Sequence, residues 1–317
     1  MPNISYTNTM NIAIIGATGF LGTQLIAHLL ETTDFNVKAI ARDTSGVLVK
    51  LEYNNRLQAI DANVMDEDET SAALMGVDVA YYFVHMMGQT NKDFYTQEAI
   101  AANRFSAAAI TASVKRVIFM GGLGNDHEDL SPHLLSRHNT GTILRENLPL
   151  VLEFRASMIV GNGSIAFEIV RNLVNKMPVM TLPRWSISRT QPIALCDALE
   201  YLTQAATVHL KEHRIVEIGG LDVVTYTEFY RQYAHWAGRH TFIVRVPFLP
   251  EWLGGKWLDL FTPKNHAKIG RVMVHSLANT MIVTHDHAKD LFPDIHPRNL
   301  EVAFDEAYLA LPVISYK

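Results

Sequence analysis

A single cysteine, Cys196, stands in the 317-residue chain. That excludes an internal disulfide and the stapled architecture of small secreted domains. Its setting, Ile193-Ala194-Leu195-Cys196-Asp197-Ala198-Leu199, suits a buried small hydrophobe better than a reactive thiol. Basic residues are not in excess: 27 Lys and Arg stand against 32 Asp and Glu, a formal charge of −5. No nucleic-acid partner is therefore expected. No run approaches the roughly 18 charge-free apolar residues of a membrane span; the best candidate, Val77 to Met87, is interrupted by Asp78 and His85. The opening MPNISYTNTM lacks the basic stretch of a secretory signal, so the cytoplasm is the expected location. Met10 serves as a first residue as well as Met1 does. No Gly-Lys-Ser/Thr loop for a nucleoside triphosphate is present. His127, His133 and His138 flank Asp126, Glu128 and Asp129, but without a cysteine or a helical histidine pair beside a glutamate. No metal site is expected there, and His285-Asp286-His287 has the character of a solvated turn.

What is present is alternation. Short, nearly continuous apolar strands (Asn11 to Ile15, Val37 to Ala41, Leu57 to Ile60, Val79 to Val84, Val117 to Met120, Leu150 to Ala156) are separated by helical patterns at Phe20 to Glu31, Glu67 to Met75, Phe94 to Ala112 and Leu135 to Glu146. Strands apolar on both faces, each followed by a helix, predict an α/β fold: a doubly wound parallel sheet. Residues 10–160 are expected to form this dinucleotide-binding core. Residues 161–317 are expected to form a smaller, mainly helical substrate-side region, from which about 187–220 return to the core sheet. Trp252, Trp257, Leu258 and Phe261 form an apolar stripe suited to packing, and Trp185 is placed to cover the domain junction.

The first βα unit carries the chemistry. In Ile15-Gly16-Ala17-Thr18-Gly19-Phe20-Leu21-Gly22 three glycines follow an apolar strand and open an amphipathic helix, the context that gives the spacing meaning. Gly16 permits the tight turn, Gly19 the approach of a pyrophosphate, and Gly22 close packing of helix on sheet. Thr18, Phe20 and Leu21 share that turn, whose free N–H groups and helix dipole suit a phosphate. The second strand ends in Arg42-Asp43. A guanidinium suits the 2′-phosphate of NADP, while Asp43 keeps NAD as the alternative. Asp61 is placed to accept from the adenine amino group, and Val84, His85 and Met86 lie at the end of the fourth strand, along the cofactor edge.

The glycine spacing, together with Tyr81-Tyr82-Phe83-Val84-His85-Met86-Met87-Gly88, Ala101-Ala102-Asn103, Val114 to Leu123, Ser131 to Arg137 and Thr190 to Ala194, resembles the atypical short-chain dehydrogenase/reductases of the extended type. The branch is the one described as NAD(P)-binding, NmrA-like or nucleoside-diphosphate-sugar-epimerase-like. The resemblance implies a Tyr-x-x-x-Lys pair and a hydroxyl after the fifth strand. None of the eleven tyrosines lies in such a motif. His133 stands at the tyrosine position, Arg137 at the lysine position, and Met120-Gly121-Gly122-Leu123 offers no hydroxyl. His133 titrates near neutrality and is the candidate proton carrier. Arg137 stays charged and suits a ribose or substrate contact. The resemblance further implies that Asn103 supports the active-site backbone, while Gly121 and Ser157 lie on the nicotinamide side, beside Arg155 and Met158.

Two functions follow. One is an NADP(H)-dependent oxidoreductase acting on a small carbonyl, enone or quinone-like substrate, with a second-ligand cleft beside Gly121, His133 and Arg155. The other is a non-catalytic NAD(P)-binding redox sensor that contacts a protein partner and leaves little room at the nicotinamide. A monomer or homodimer fits either.

Overall fold

The computed structural model describes residues 9–50, 54–86, 94–246 and 258–309, with backbone only at 48–50, 184 and 185. The leader before residue 9, Met87, Gly88, Trp252, Trp257 and the Trp185 side chain lie outside the described residues. The first half runs β1 (Asn11–Ile15), α1 (Phe20–Thr32), β2 (Asn36–Ala41), α2 (Ser45–Lys50), β3 (Leu57–Asp61), α3 (Glu67–Leu74), β4 (Val79–Tyr82), α4 (Phe94–Thr111), β5 (Arg116–Gly122), α5 (Pro132–Asn147) and β6 (Val151–Ala156). Then follow β7 (Ile159–Val160), α6 (Ile165–Lys176), β8 (Val179–Leu182), a 3-10 turn (Arg184–Ile187), β9 (Arg189–Thr190), β10 (Ile193–Ala194), α7 (Leu195–Ala205), β11 (Arg214–Ile218) and β12 (Val224–Thr225). The chain ends with α8 (Tyr226–Trp236), β13 (Phe242–Arg245), α9 (Lys264–Val274), a second 3-10 turn (His275–Ala278), α10 (His287–Leu291) and α11 (Leu300–Leu309).

Seven strands form one parallel sheet in the order β11-β6-β5-β4-β1-β2-β3. The strand order reverses between β1 and β4, and the crevice beyond that point is where such sheets bind ligands. Alternate residues of β1 serve opposite layers. Ile12 and Ile14 pack with Leu25 of α1 and Leu202 of α7, whereas Ala13 and Ile15 pack with Phe105 of α4 and Leu144 of α5. Every residue of β4 and β6 is buried, which is why these strands show no polar alternation in the sequence.

The second region has its own core around Phe304 of α11, whose ring meets Phe167 (6.0 Å), Phe229 (5.5 Å) and Tyr233 (5.3 Å). α11 is held by Arg298, which sits just before it. The buried Asp197 of α7 accepts from the Arg298 backbone N–H at 2.7 Å and from its guanidinium, and Glu306 closes the group at 3.1 Å.

Three elements differ from the sequence reading. α5 begins at Pro132 rather than Leu135: Ser131 caps it, its Oγ accepting from the Leu134 N–H at 3.3 Å, and proline fits the first turn because that N–H would have no partner. The stretch 187–193 is two short strands, β9 and β10, divided by Pro192 and paired with different partners. His287 opens the short helix α10 rather than a turn.

Removing one partner of a buried ion pair leaves an uncompensated charge. Arg298→Ala is expected to lower the free energy of unfolding by about 3 kcal/mol in urea denaturation. A midpoint equal to wild type would show that Arg298 does not hold α11.

Candidate functional site

The glycine turn between β1 and α1 is built as close contacts demand. Gly16 has φ +92°, and a Cβ there would lie 2.9 Å from the Phe83 carbonyl group of the chain leaving β4. A Cβ on Gly22 would meet the Gly16 oxygen at 2.4 Å. α1 starts at Gly19 with no side-chain cap and no acid in its first turn, so its leading N–H groups face outward with the positive end of the helix dipole. Thr18 and Gly19 are exposed, Phe20 and Leu21 half-buried, and Thr23 Oγ1 braces the turn by donating to the Ala17 oxygen at 3.0 Å. Uncapped donors over a backbone that tolerates no Cβ fit a dinucleotide pyrophosphate.

At the end of β2, Arg42 is exposed with no hydrogen-bond or ion-pair partner among the described residues. Asp43 is engaged locally: it accepts from the backbone and hydroxyl of Ser45 (3.0 and 2.6 Å) and starts α2. Asp61 accepts from the N–H and hydroxyl of Thr44 at 2.8 and 2.7 Å. One of its oxygens therefore fixes the loop that carries Arg42.

The centre of the site is a residue that sequence reasoning missed. Glu98, on α4, is 2% exposed. Its carboxylate accepts from Ser136 Oγ (2.6 Å), the Met86 N–H (3.0 Å) and His85 Nδ1, and Arg137 stands 3.9 Å away. Burial opposes its charge, but His85, Arg137 and Ser136 overcome that and hold the carboxyl well below the usual range. His85 Nε2 is 3.2 Å from His133 Nε2; His133 Nδ1 is 3.1 Å from Ser276 Oγ; and Ser276 Oγ is 2.8 Å from Ser131 Oγ. One continuous chain of titratable and hydroxyl groups thus runs from α4 to the 3-10 turn after α9. Burial lowers both histidines. Arg137 lowers His85 further against the pull of Glu98, and His85 and Arg137 add to the burial of His133, which is pushed down to about 3.

The structure brings His133, Arg137, His85, Val84 and Met86 together. Arg137 is buried over the Phe119 ring, and its terminal nitrogens donate to the Val84 (3.2 Å) and Met120 (2.7 Å) carbonyls. It clamps the ends of β4 and β5 from behind the edge where a ribose or substrate contact is expected of it. Asn103 is a correction: it is exposed on α4 and donates to the Ala99 oxygen at 2.9 Å. The active-site backbone is held by Glu98, five residues earlier. Arg155 is also turned inward, to Glu153 (2.7 Å) and Asp126 (3.0 Å), while His138 binds Asp126 and the Gly122 oxygen. Those acids and histidines brace the loop after β5; no group of metal-ligating residues occurs among the described residues.

Beyond the ends of β5 and β6 lies a cavity between the core and the second region. The core supplies Gly122, His133, Ala156, Ser157 and Met158. The second region supplies α6, β8, α8 and α9, including Met177, Met180, Tyr230 and Met273. Among the described residues, no Asp, Glu, Lys or Arg lines it. Its polar groups are confined to a few points: His133 with Ser276, Thr181, and Ser157 with Tyr226. Ser157 Oγ is 2.5 Å from Thr190 Oγ1, which in turn bonds Tyr226. Gly121 lies one layer behind, where a Cβ would touch Glu153 at 3.3 Å. A Cβ on Gly122 would lie 2.7 Å from Leu134 Cδ2, so a hydroxyl-bearing residue there would require that side chain to shift.

The histidine pair makes stability depend on pH. Folded, both bind fewer protons than at their ordinary value of 6.5, so stability rises with pH across the window above about 3 and up to 6.5. Glu98 works in the same direction: its contribution is present above 4.5 and lost on further acidification. The urea midpoint is expected to fall between pH 7.5 and pH 5, and His133→Gln is expected to shrink that fall. An equal fall in the variant would show that His133 is not the source.

Residues 16–153 match the model of a family described as NAD(P)H-binding. No curated protein matches the chain. Among solved structures, the Citrobacter sp. triphenylmethane reductase complexed with NADP(H) is similar over 94% of this chain and 100% of its own, with 17% identity and a TM-score of 0.71. MoeE5 in complex with UDP-glucuronic acid and NAD is similar over 93% and 97%, at 15% identity and TM-score 0.70. The Thermotoga maritima UDP-glucose 4-epimerase is similar over 94% and 97%, at 16% identity and TM-score 0.68. No helix among the described residues is long and apolar enough to cross a membrane. The sheet order, the glycine turn and this likeness along almost the whole chain give it the NAD(P)-binding fold of the extended short-chain dehydrogenase/reductases, of the NmrA-like and nucleoside-diphosphate-sugar-epimerase-like kind.

Proposed function

We propose that the chain is an NADP(H)-dependent reductase of an apolar carbonyl, enone or quinone-like compound. The observation that carries this reading is the cavity wall. A nucleoside diphosphate brings at least two negative charges, and no charged side chain among the described residues lines the cavity to receive them. Aliphatic side chains and five methionines (158, 177, 180, 273 and 281) instead suit a hydrocarbon body of variable shape. The polar points at His133 with Ser276, and at Ser157, would orient one oxygen of such a molecule. Room for a second ligand also weighs against the sensor reading, which expects a closed surface at the nicotinamide.

Gly16, Gly19 and Gly22, with the N–H groups of Phe20 and Leu21, would hold the pyrophosphate, and Thr18 lies at the rim. Arg42, unpartnered and exposed, is placed for a 2′-phosphate and supports NADP over NAD. Val84, Met86 and Ser157 would flank the ring end, on backbone that Glu98 and Arg137 hold from behind. When bound, the reduced nicotinamide supplies hydride; the protein excludes water, orients the carbonyl and furnishes the proton.

Loss of NADPH absorbance with a panel of apolar enones, quinones and aromatic aldehydes tests the assignment, with UDP-glucose expected to be inert. Calorimetric binding of NADPH with no turnover of any panel member would overturn it in favour of the sensor. Arg42→Ala is expected to weaken NADPH about tenfold, roughly 1.4 kcal/mol, and to leave NADH unchanged. Equal loss for both cofactors would remove the NADP preference.

A further inference from the structure

The extended short-chain fold ordinarily presents its substrate oxygen with a hydroxyl from β5 and a tyrosine from α5, and this chain has neither at those positions. The described residues put a different hydroxyl at the same cavity. Ser276 comes from the 3-10 turn after α9, 143 residues beyond His133 in the chain. It is 4% exposed, lines the cavity, and joins the chain of contacts that starts at Glu98, its Oγ meeting His133 Nδ1 at 3.1 Å and Ser131 Oγ at 2.8 Å. His133 itself has no nitrogen to spare: Nε2 faces His85 and Nδ1 faces Ser276. The group that meets a ligand from this wall is therefore the serine.

We propose that Ser276 is the hydroxyl that protonates the substrate oxygen, and that it is recharged through His133 and His85 with Glu98 as the fixed counter-charge. The proposal rests on the reductase reading above. With a reduced dinucleotide bound, hydride supplied to the substrate carbon would move the electron pair of the C=O bond to oxygen. The Ser276 O–H bond breaks as the new O–H bond on the substrate forms. Ser276 regains a proton from His133 Nδ1, and His133 takes one at Nε2 from His85 Nε2. His85 thus passes from imidazolium to neutral imidazole and is recharged from water, its side chain being 28% exposed. Glu98 stays ionised throughout, held by Ser136 and the Met86 N–H, and orients His85 through Nδ1. The same geometry run backwards would oxidise an alcohol.

The charged and titratable groups facing His85 among the described residues are Glu98 from α4 and His133 and Arg137 from α5. Glu98 favours the imidazolium; burial and Arg137 disfavour it. Reduction therefore requires the protonated fraction of His85, and kcat falls as pH rises through a value below 6.5.

The test has two arms. On a substrate that the wild-type enzyme reduces, Ser276→Ala is expected to lower kcat about 100-fold, with KM and NADPH affinity within about twofold of wild type. Ser276→Thr, which restores a hydroxyl, is expected to recover most of the rate. Glu98→Gln is expected to move the descending limb of kcat to lower pH, a shift that a purely structural role would not produce. Wild-type kcat in Ser276→Ala, or an unmoved limb in Glu98→Gln, would overturn the relay while leaving the reductase reading intact. The second arm needs no substrate: imidazole ¹H–¹⁵N spectra of the full chain should show that Ser276→Ala perturbs His133 Nδ1, and that His85 and His133 titrate as a coupled pair. Independent titration would overturn the relay. Coupled titration alongside no turnover by wild type would instead count against the reductase reading, and with it the assigned use of the relay.

Discussion

A carboxylate kept charged inside the protein organises this site. Glu98 is nearly without solvent, and such a charge persists only when enough donors surround it. Here the donors come from two separate elements: the loop after β4 through His85 and the Met86 N–H, and α5 through Ser136 and Arg137. Satisfying one charge therefore fixes the distance between α4 and α5 and the course of the chain at the edge of the sheet. Arg137 extends the same constraint to the carbonyl ends of β4 and β5. The floor of the crevice beside the strand reversal is tied together by this group.

The two ends of the crevice differ in character. At the glycine turn, the surface is made of backbone: positive φ at Gly16, no space at Gly22, and an uncapped helix start. Such a surface has the geometry and the free N–H groups that suit a phosphate. At the cavity, the surface is made mainly of side chains from the second region, soft and apolar. The family match to an NAD(P)H-binding model, which stops at residue 153, covers the first of these ends and not the second.

The same contrast explains what the sequence showed. The parallel sheet was legible because strands buried on both faces leave continuous apolar runs, as in Val79 to Tyr82, and because the glycines sit between strand and helix. The charged centre was hidden. Glu98 lies in an alanine-rich helix where a glutamate looks like an exposed residue; its burial depends on helix packing against α5, which has no local signature. Asn103, nearer to the family pattern, instead faces solvent. Ser276 is still less visible, since its neighbours His133 and Ser131 lie more than 140 residues away. One signal was available locally: Ser131-Pro132 is a helix start, and it sets His133 in the first turn of α5 with its ring at the helix mouth.

Leu134 stands against Gly122. The end of its side chain lies where a Cβ at Gly122 would stand, so a hydroxyl introduced after β5 would first have to displace this leucine. Shrinking the leucine alone would open a hole beside the cavity wall. The choice of side chain at 134 thus bears directly on what position 122 can hold.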